Sequence, residues 1–194
     1  MPISTVIVKN SLVLLLLGTS GVGKTSVLEY LQCCHSFDSS KKYTTRKHRN
    51  TSSDERDFIF CRTVDEFPKD DLLIFQSYNY TFGIQIDQIR LSIMRERNHV
   101  LTIGDVETAI ELKRIFPDQT KVVLLYCEYN ILKSRILSNA DTERSLRWEA
   151  IDKEIKMIYS WLGTVDFILD CSMPFDRTRI KIDELVYRIE LDTG

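Results

Sequence analysis

The sequence predicts an α/β fold in which a parallel β-sheet is flanked by helices. Apolar, strand-like segments alternate with segments of helical periodicity near both ends of the chain, the order expected of a parallel sheet with crossover helices. Residues 12–17 are continuously apolar, as in a strand that is buried on both faces. A glycine-rich loop follows this run and leads into the first helical segment, residues 24–34.

The middle of the chain is richer in β-type sequence. Residues 57–61 and 72–82 form two short aromatic stretches with the composition of strands. Between them, Thr63 and Glu66 have the spacing of a capping box, which predicts a short helix. Apolar residues at helical spacing then predict another helix over residues 86–97.

The second half of the chain returns to the alternating order. Apolar residues recur at helical spacing within 109–116, 151–162 and 182–189. The predicted strands of this half are residues 100–103, 122–126 and 165–169.

The composition is that of an ordinary globular chain and restricts its partners. Of 194 residues, 43% are hydrophobic and 28% are charged, which suits one domain with a sizeable core. The formal net charge of −2 gives no global attraction for nucleic acid, and no apolar run is long enough to span a bilayer. The first ten residues lack a secretory pattern, and five cysteines without C-x-x-C spacing indicate reduced thiols. We therefore expect a cytoplasmic protein without nucleic-acid or membrane partners.

The glycine-rich loop carries the most specific motif. Residues 18–25 read G-T-S-G-V-G-K-T, which matches the P-loop pattern G-x-x-x-x-G-K-[ST] between a predicted strand and a predicted helix. The backbone N–H groups would hold phosphate oxygens, Lys24 would reach the β- and γ-phosphates, and the Thr25 hydroxyl would bind Mg²⁺. This predicts a P-loop NTPase fold that binds a nucleoside triphosphate. The predicted binding residues are Gly18, Thr19, Ser20, Gly21, Val22, Gly23, Lys24, Thr25 and Ser26.

Two arginines, Arg46 and Arg49, follow on a predicted loop. At this spacing they could hold the phosphate of a second substrate, although a solvated basic loop would have the same pattern. The order of the surrounding motifs favours a substrate site, because it resembles the guanylate kinase family over nearly the whole chain. The matching segments are T-T-R-K-H-R at 44–49, D-F-I-F at 57–60, Y-T-F-G at 80–83, the apolar strand ending in acid at 100–105, and K-S-R at 133–135.

The resemblance implies a single domain with three parts. It implies a triphosphate-binding core over 1–41, 91–133 and 151–194, a small β-rich acceptor-binding insert over 42–90, and a helical lid over 134–150. It also implies transfer of the γ-phosphoryl group of ATP to the phosphate of GMP, with Mg²⁺ as cofactor.

The resemblance also implies roles for individual residues. Lys24 and Arg46 would be catalytic, with Arg135, Arg144 and Arg147 as candidates for the lid cation that meets the migrating phosphoryl group. Asp105 would hold the Mg²⁺ shell through water or face the acceptor. The implied acceptor-binding residues are Tyr43, Arg46, Arg49, Phe58, Phe82 and Asp105.

The chain departs from the family pattern mainly in the acceptor site. Phe58 and Phe82 stand where the family has two tyrosines that bind the acceptor phosphate, and each change removes a hydroxyl donor. The guanine-reading glutamate falls near residues 73–75, where there is no carboxylate, and Ile84 replaces a small hydroxyl residue. A site discriminates strongly among bases only while its hydrogen-bonding groups are present. Further replacements occur at Tyr43, Ile103, Asn139 and Glu149.

Three functions are therefore open from the sequence. The first is an ATP-dependent nucleoside monophosphate kinase with GMP as the default acceptor. The second is a sugar-phosphate kinase, because Y-T-T-R at 43–46 and T-F-G-I-Q-I-D at 81–87 also resemble bacterial ribose 1,5-bisphosphate phosphokinases. An apolar pocket of residues 73–75 and Ile84 would suit such an acceptor. The third is a catalytically inactive guanylate kinase-like module, for which a protein partner is expected.

Overall fold

The computed structural model describes residues 11–48, 52–77, 79–138, 155 and 161–193. Within them the strands are β1 (Val13–Leu17), β2 (Lys42–Thr44), β3 (Phe58–Phe60), β4 (Leu72–Ser77), β5 (Tyr80–Gln85), β6 (His99–Ile103), β7 (Thr120–Tyr126) and β8 (Phe167–Asp170). The helices are α1 (Lys24–His35), α2 (Ser52–Asp57), α3 (Ile86–Met94), α4 (Val106–Ile115), α5 (Tyr129–Ser138) and α6 (Phe175–Thr193), and a short 3₁₀ helix covers Val64–Glu66.

The core sheet is parallel and has the strand order β6-β1-β7-β8, so β1 lies inside it. Side chains of β1 alternate between two apolar layers. Leu14 and Leu16 belong to the layer under α1, α5 and α6, whereas Leu15 and Leu17 belong to the layer under α3 and α4. Burial on both faces explains the continuous apolar run, and the predicted α/β fold with a parallel sheet is confirmed.

A second sheet has the order β3-β2-β5-β4 and contains the β-rich middle of the chain. The predicted single stretch 72–82 is in fact a hairpin of β4 and β5, with Asn79 in a left-handed conformation at its turn. The predicted loop before Arg46 contains β2, which pairs with β3 and β5. The spacing of apolar residues did not predict α2, because its sequence is entirely polar.

The predicted capping box is only partly correct. The 3₁₀ helix forms after Thr63, but the Thr63 side chain makes no capping hydrogen bond. The Glu66 carboxylate instead accepts a hydrogen bond from Arg62 N at 2.8 Å, one residue earlier than a capping box requires.

Two predicted segments fall largely outside the described residues. Most of the predicted helix at 151–162 is not described, and the predicted lid at 134–150 is described only over 134–138, where α5 continues across the predicted boundary at 133. The division into core, insert and lid stays a prediction. Among the helices of the described segments, none combines the length and the apolar character needed to cross a membrane.

Candidate active site

The glycine-rich loop connects the carboxyl end of β1 to the first residue of α1. A Cβ on Gly18 would lie 2.8 Å from the Leu125 carbonyl oxygen, so only glycine fits there. Gly23 precedes α1 with φ +111°, a conformation that glycine adopts without strain. The loop therefore closes directly onto a helix start, where N–H groups lack helical acceptors and can hold an anion.

The Lys24 side chain lies back across this loop. Its Nζ donates to the carbonyl oxygens of Gly18 at 2.6 Å and Thr19 at 2.9 Å. These bonds hold the ammonium group at the loop, where it can exchange carbonyl oxygens for phosphate oxygens. The geometry thus brings together the predicted triphosphate-binding residues as one structural unit.

Asp105 lies beside the loop because β1 and β6 end in register, with Leu17 paired to Ile103. Its Oδ1 accepts a hydrogen bond from Thr108 N at 2.7 Å and caps α4. Its Oδ2 is buried and has no hydrogen-bond partner among the described residues, and burial raises the pKa of the Asp105 carboxyl. An unpartnered carboxylate oxygen beside a P-loop, together with the Thr25 hydroxyl, is the oxygen-donor set that suits Mg²⁺.

The inner face of the second sheet is an aromatic floor. Phe82 stacks on Phe75 with ring centroids 5.3 Å apart and contacts Phe58 at 6.1 Å. Two cations lie over the Phe58 ring: Arg46, with Cζ 5.0 Å from its centroid, and Lys42, with Nζ at 5.1 Å. The ring faces attract cations, so the floor holds positive charge. Its phenylalanines have no hydroxyl groups to donate hydrogen bonds.

Arg46 is not a solvated loop residue, because its side chain is buried and paired with Asp54 of α2. Nη2 donates to Asp54 Oδ1 at 2.5 Å and Nη1 contacts Oδ2 at 3.4 Å, so both oxygens face the guanidinium group. The pair fixes the orientation of Arg46 over the aromatic floor. The sequence reasoning missed Asp54, although the acidic stretch after the two arginines was a signal for such a partner.

The structure separates other predicted acceptor residues from this group. Tyr43 alternates with Lys42 along β2 and lies on the opposite face, where it contacts Phe67 with ring centroids 5.6 Å apart. Of the residues predicted to form an apolar pocket, Leu73 pairs with Ile84, and both pack in the core layer with Phe75, whereas Ile74 lies on the opposite face of β4 and is half-exposed. The pocket itself stays a prediction.

Arg135 lies on α5 against the other side of the phosphate loop. Its guanidinium donates to Cys171 O at 2.8 Å and contacts Val22 O at 3.4 Å. It borders a groove of about 340 Å³ that is also lined by Ser26 and Phe175, which is large enough for part of a small ligand. Arg49, Arg144 and Arg147 lie outside the described residues.

Comparison with known proteins finds guanylate kinases that are similar to this chain in sequence or in fold. The chain is 28% identical over 158 residues to a guanylate kinase of Clostridium acetobutylicum, across 77% of this chain and 75% of that protein. Its fold is similar to a crystal structure of guanylate kinase from Anaplasma phagocytophilum, with a TM-score of 0.68 over 94% of this chain and 87% of that chain. The latter pair is 14% identical in sequence, so that likeness shows the fold. No family model matches the chain.

Proposed function

We propose that this chain, a guanylate kinase-like phosphotransferase, transfers the γ-phosphoryl group of ATP to the phosphate of a small acceptor, with GMP or another nucleoside monophosphate as the default. The observation that carries the proposal is the pairing of an intact P-loop with a separate cationic floor at Arg46. In the reaction an acceptor phosphate oxygen would bond to the γ-phosphorus as the bond to the β–γ bridging oxygen breaks, releasing ADP.

The donor side of the proposed reaction depends on charge placed before the substrate arrives. Loop N–H groups and Lys24 would bind the β- and γ-phosphates and stabilise the charge on the transferring group. Bound Mg²⁺ would neutralise phosphate charge, with Thr25 and Asp105 as the residues that hold it. Ser26 and Arg135 border the groove beside the loop, which suits the nucleoside part of ATP.

The acceptor side would bind phosphate with arginine forks. Arg46 is held in place by Asp54, so its orientation is set before the acceptor binds, and pre-set geometry is a large part of phosphoryl-transfer catalysis. Arg49 would supply the second fork, and Arg147 the lid cation; both assignments are proposals from the family resemblance. Phe58 and Phe82 would support the acceptor by ring contacts rather than by hydroxyl donors.

A sugar phosphate is a second candidate acceptor, favoured by one specific observation. The guanine-reading glutamate of the family would fall near residues 73–75, and the inward-facing side chains of β4 and β5 at this place are apolar. Ile84, which is among them, is fully buried. None of these side chains supplies a polar group to a base. A sugar phosphate has no base to recognise and needs no such group.

A coupled ADP-release assay with ATP and Mg²⁺ tests both candidates. The acceptor panel is GMP, dGMP, AMP, CMP, UMP and ribose 1,5-bisphosphate. Turnover that depends on a nucleoside monophosphate supports the first candidate, and turnover with the sugar bisphosphate alone supports the second. Binding of ATP without turnover on any acceptor would contradict the proposed activity and favour a module with a protein partner.

A further inference from the structure

Lys42 is a second buried cation of the floor, beside Arg46 on the Phe58 ring, and the proposed reaction does not use it. Its side chain is 7% exposed, and its Nζ donates to Thr102 O and to Thr102 Oγ1, both at 2.6 Å. Thr102 belongs to β6 of the core sheet, whereas Lys42 belongs to the second sheet. The ammonium group therefore lies at the junction of the two sheets, facing the Phe58 ring.

No carboxylate among the described residues lies within ion-pair distance of Lys42 Nζ. The nearest acidic influence is Asp57, and both of its carboxylate oxygens accept hydrogen bonds from Arg56. The other charged groups that act on Lys42 are cations, Lys24 and Arg46. Two hydrogen bonds to neutral oxygens leave one of three ammonium donors without a hydrogen-bond acceptor in the described part of the chain.

A buried ammonium group without a counterion is unfavourable, because its lost hydration is not replaced by an opposite charge. An anion bound beside Lys42 would supply the opposite charge that the described residues do not. Lys42 shares the Phe58 ring with Arg46, so an acceptor whose phosphate is bound at Arg46 would bring its other groups toward Lys42.

We propose that Lys42 is a specificity-determining residue that binds a second anionic group of the acceptor, so that the site selects a small bisphosphorylated molecule over a monophosphate. This inference rests on the proposed function for the placement of the acceptor, and it names a bisphosphorylated acceptor in preference to the monophosphate that is the default there. It replaces the recognition of a base, for which the apolar side chains of Leu73, Phe75 and Ile84 supply no polar group, by recognition of charge. The long lysine side chain can leave Thr102 and reach the second phosphate through its four-carbon stem.

The acid–base state of Lys42 agrees with this role. Burial, with Lys24 and Arg46 nearby, lowers the pKa of the Lys42 ammonium to about 7. An anion would stabilise the charged form and raise that pKa, so binding at pH 7.5 should take up protons from solution. A lysine that serves only to join the two sheets would not couple ligand binding to proton uptake.

The test is a calorimetric titration of the full chain in the absence of ATP, so that binding is measured apart from phosphoryl transfer. Two ligand pairs differ by one phosphate: ribose 5-phosphate with ribose 1,5-bisphosphate, and GMP with guanosine 3′,5′-bisphosphate. In the wild type at pH 6.5, the second phosphate should tighten binding about tenfold or more in at least one pair. The pair that shows the gain identifies whether the carrier is a sugar or a nucleoside.

Lys42→Met should reduce this gain to about onefold, so that the affinity for the bisphosphate falls much further than the affinity for the monophosphate. Lys41→Met is the matched control, since Lys41 is exposed and adjacent in sequence, and it should retain the gain. Thr102→Val removes one hydrogen bond between the two sheets but keeps the positive charge of Lys42. Lys42→Arg keeps a positive charge on a side chain of different shape. Both variants should retain most of the gain. In the wild type, the measured enthalpy should vary with the ionisation heat of the buffer at pH 7.5.

Equal gains in the wild type and Lys42→Met, or no gain in the wild type with either pair, would overturn the inference. Either result can occur while ATP-dependent turnover on GMP is normal, so the proposed function would stand. Conversely, a Lys42-dependent gain without turnover on any acceptor would support the inference and contradict the proposed activity.

Discussion

The two sides of the candidate site place their lysines in opposite environments. Lys24 is half-buried in the phosphate loop and donates to two carbonyl oxygens of that loop, five and six residues away. Lys42 is buried and donates to Thr102, 60 residues away on another sheet. The proposed donor site is therefore built from one continuous segment, whereas the proposed acceptor site depends on contacts between distant segments.

This difference bears on why the sequence matches the guanylate kinase pattern at the loop and departs from it at the proposed acceptor side. A local loop works as a unit, and its glycines are required by φ at Gly23 and by the close approach at Gly18. In the acceptor floor, phenylalanine rings that hold cations can replace tyrosine hydroxyls that donate hydrogen bonds. Such a replacement requires that the distant residues that pack against these rings and cations change as well. Here Arg46 has Asp54, Lys42 has Thr102, and Phe82 has Phe75.

The largest expected effect is on the donor side. Lys24→Ala removes the ammonium group that would meet the β- and γ-phosphates, so turnover should fall by about 10³-fold. The fold should persist, because the Lys24 side chain donates to carbonyl oxygens of its own loop and not across the core sheet's apolar layers. Thermal-shift titration with Mg²⁺-ATP should stabilise the wild type and a Lys41→Ala control but not Lys24→Ala. Equal shifts in all three proteins would place ATP elsewhere.

The next effect is on the acceptor side and concerns stability. Asp54→Asn removes the negative partner of Arg46 and leaves a buried guanidinium group uncompensated, which should cost about 3–5 kcal/mol of unfolding free energy. Urea unfolding measures this, with exposed Asp65→Asn as the control for loss of one carboxylate. A loss no larger than that of the control would mean that the pair does not hold the acceptor sheet together.

The contrast between local and distant contacts also decides what the sequence could predict. The order of core strands and helices was predictable because each has its own apolar period, and the P-loop was predictable because it is one uninterrupted motif. Strand β2 and helix α2 were not, since three residues and an all-polar hexapeptide carry little periodic signal.

Within the acceptor site, the types of residue were predictable but their partners were not. Arg46, Phe58 and Phe82 do lie together at the aromatic floor, as the family resemblance implied. The Arg46–Asp54 pair depends on how α2 folds back, and the Lys42–Thr102 contact depends on the packing of two sheets. Neither pair has a fixed sequence spacing; the acidic stretch at 54–57 indicates only that a carboxylate is available to Arg46, not which one pairs with it.

A smaller effect should come from restoring a hydroxyl donor to the floor. Phe58 is only partly buried, and a Phe58→Tyr hydroxyl could donate to an acceptor phosphate, tightening binding by about 1–3 kcal/mol. Phe82→Tyr is the contrasting variant, because that ring is 8% exposed and stacked on Phe75, so its hydroxyl should lower stability instead. Calorimetric titration of GMP and a sugar phosphate, with thermal unfolding, distinguishes the two. Unchanged affinity for both ligands in Phe58→Tyr would place the acceptor phosphate away from this ring.

The smallest expected effect is a pH dependence of stability that only the acceptor-side lysine should produce. The pKa of Lys42 is lowered to about 7 in the folded chain from an ordinary value of 10.5, so between these values the unfolded chain binds more protons. Stability then rises with pH across this interval, and the cost of burying the charge is fully present below pH 7. Lys42→Met removes that cost, so its effect on the free energy of unfolding should be more stabilising at pH 6 than at pH 9. The expected difference is about 1 kcal/mol, since relaxation and water penetration reduce the penalty of a buried charge. Lys41→Met should show the same stability difference from the wild type at both pH values, since that side chain is exposed. A Lys42→Met effect that is equal at pH 6 and pH 9 in urea unfolding would mean that Lys42 keeps an ordinary pKa, and that a counterion already accompanies it in the unliganded protein.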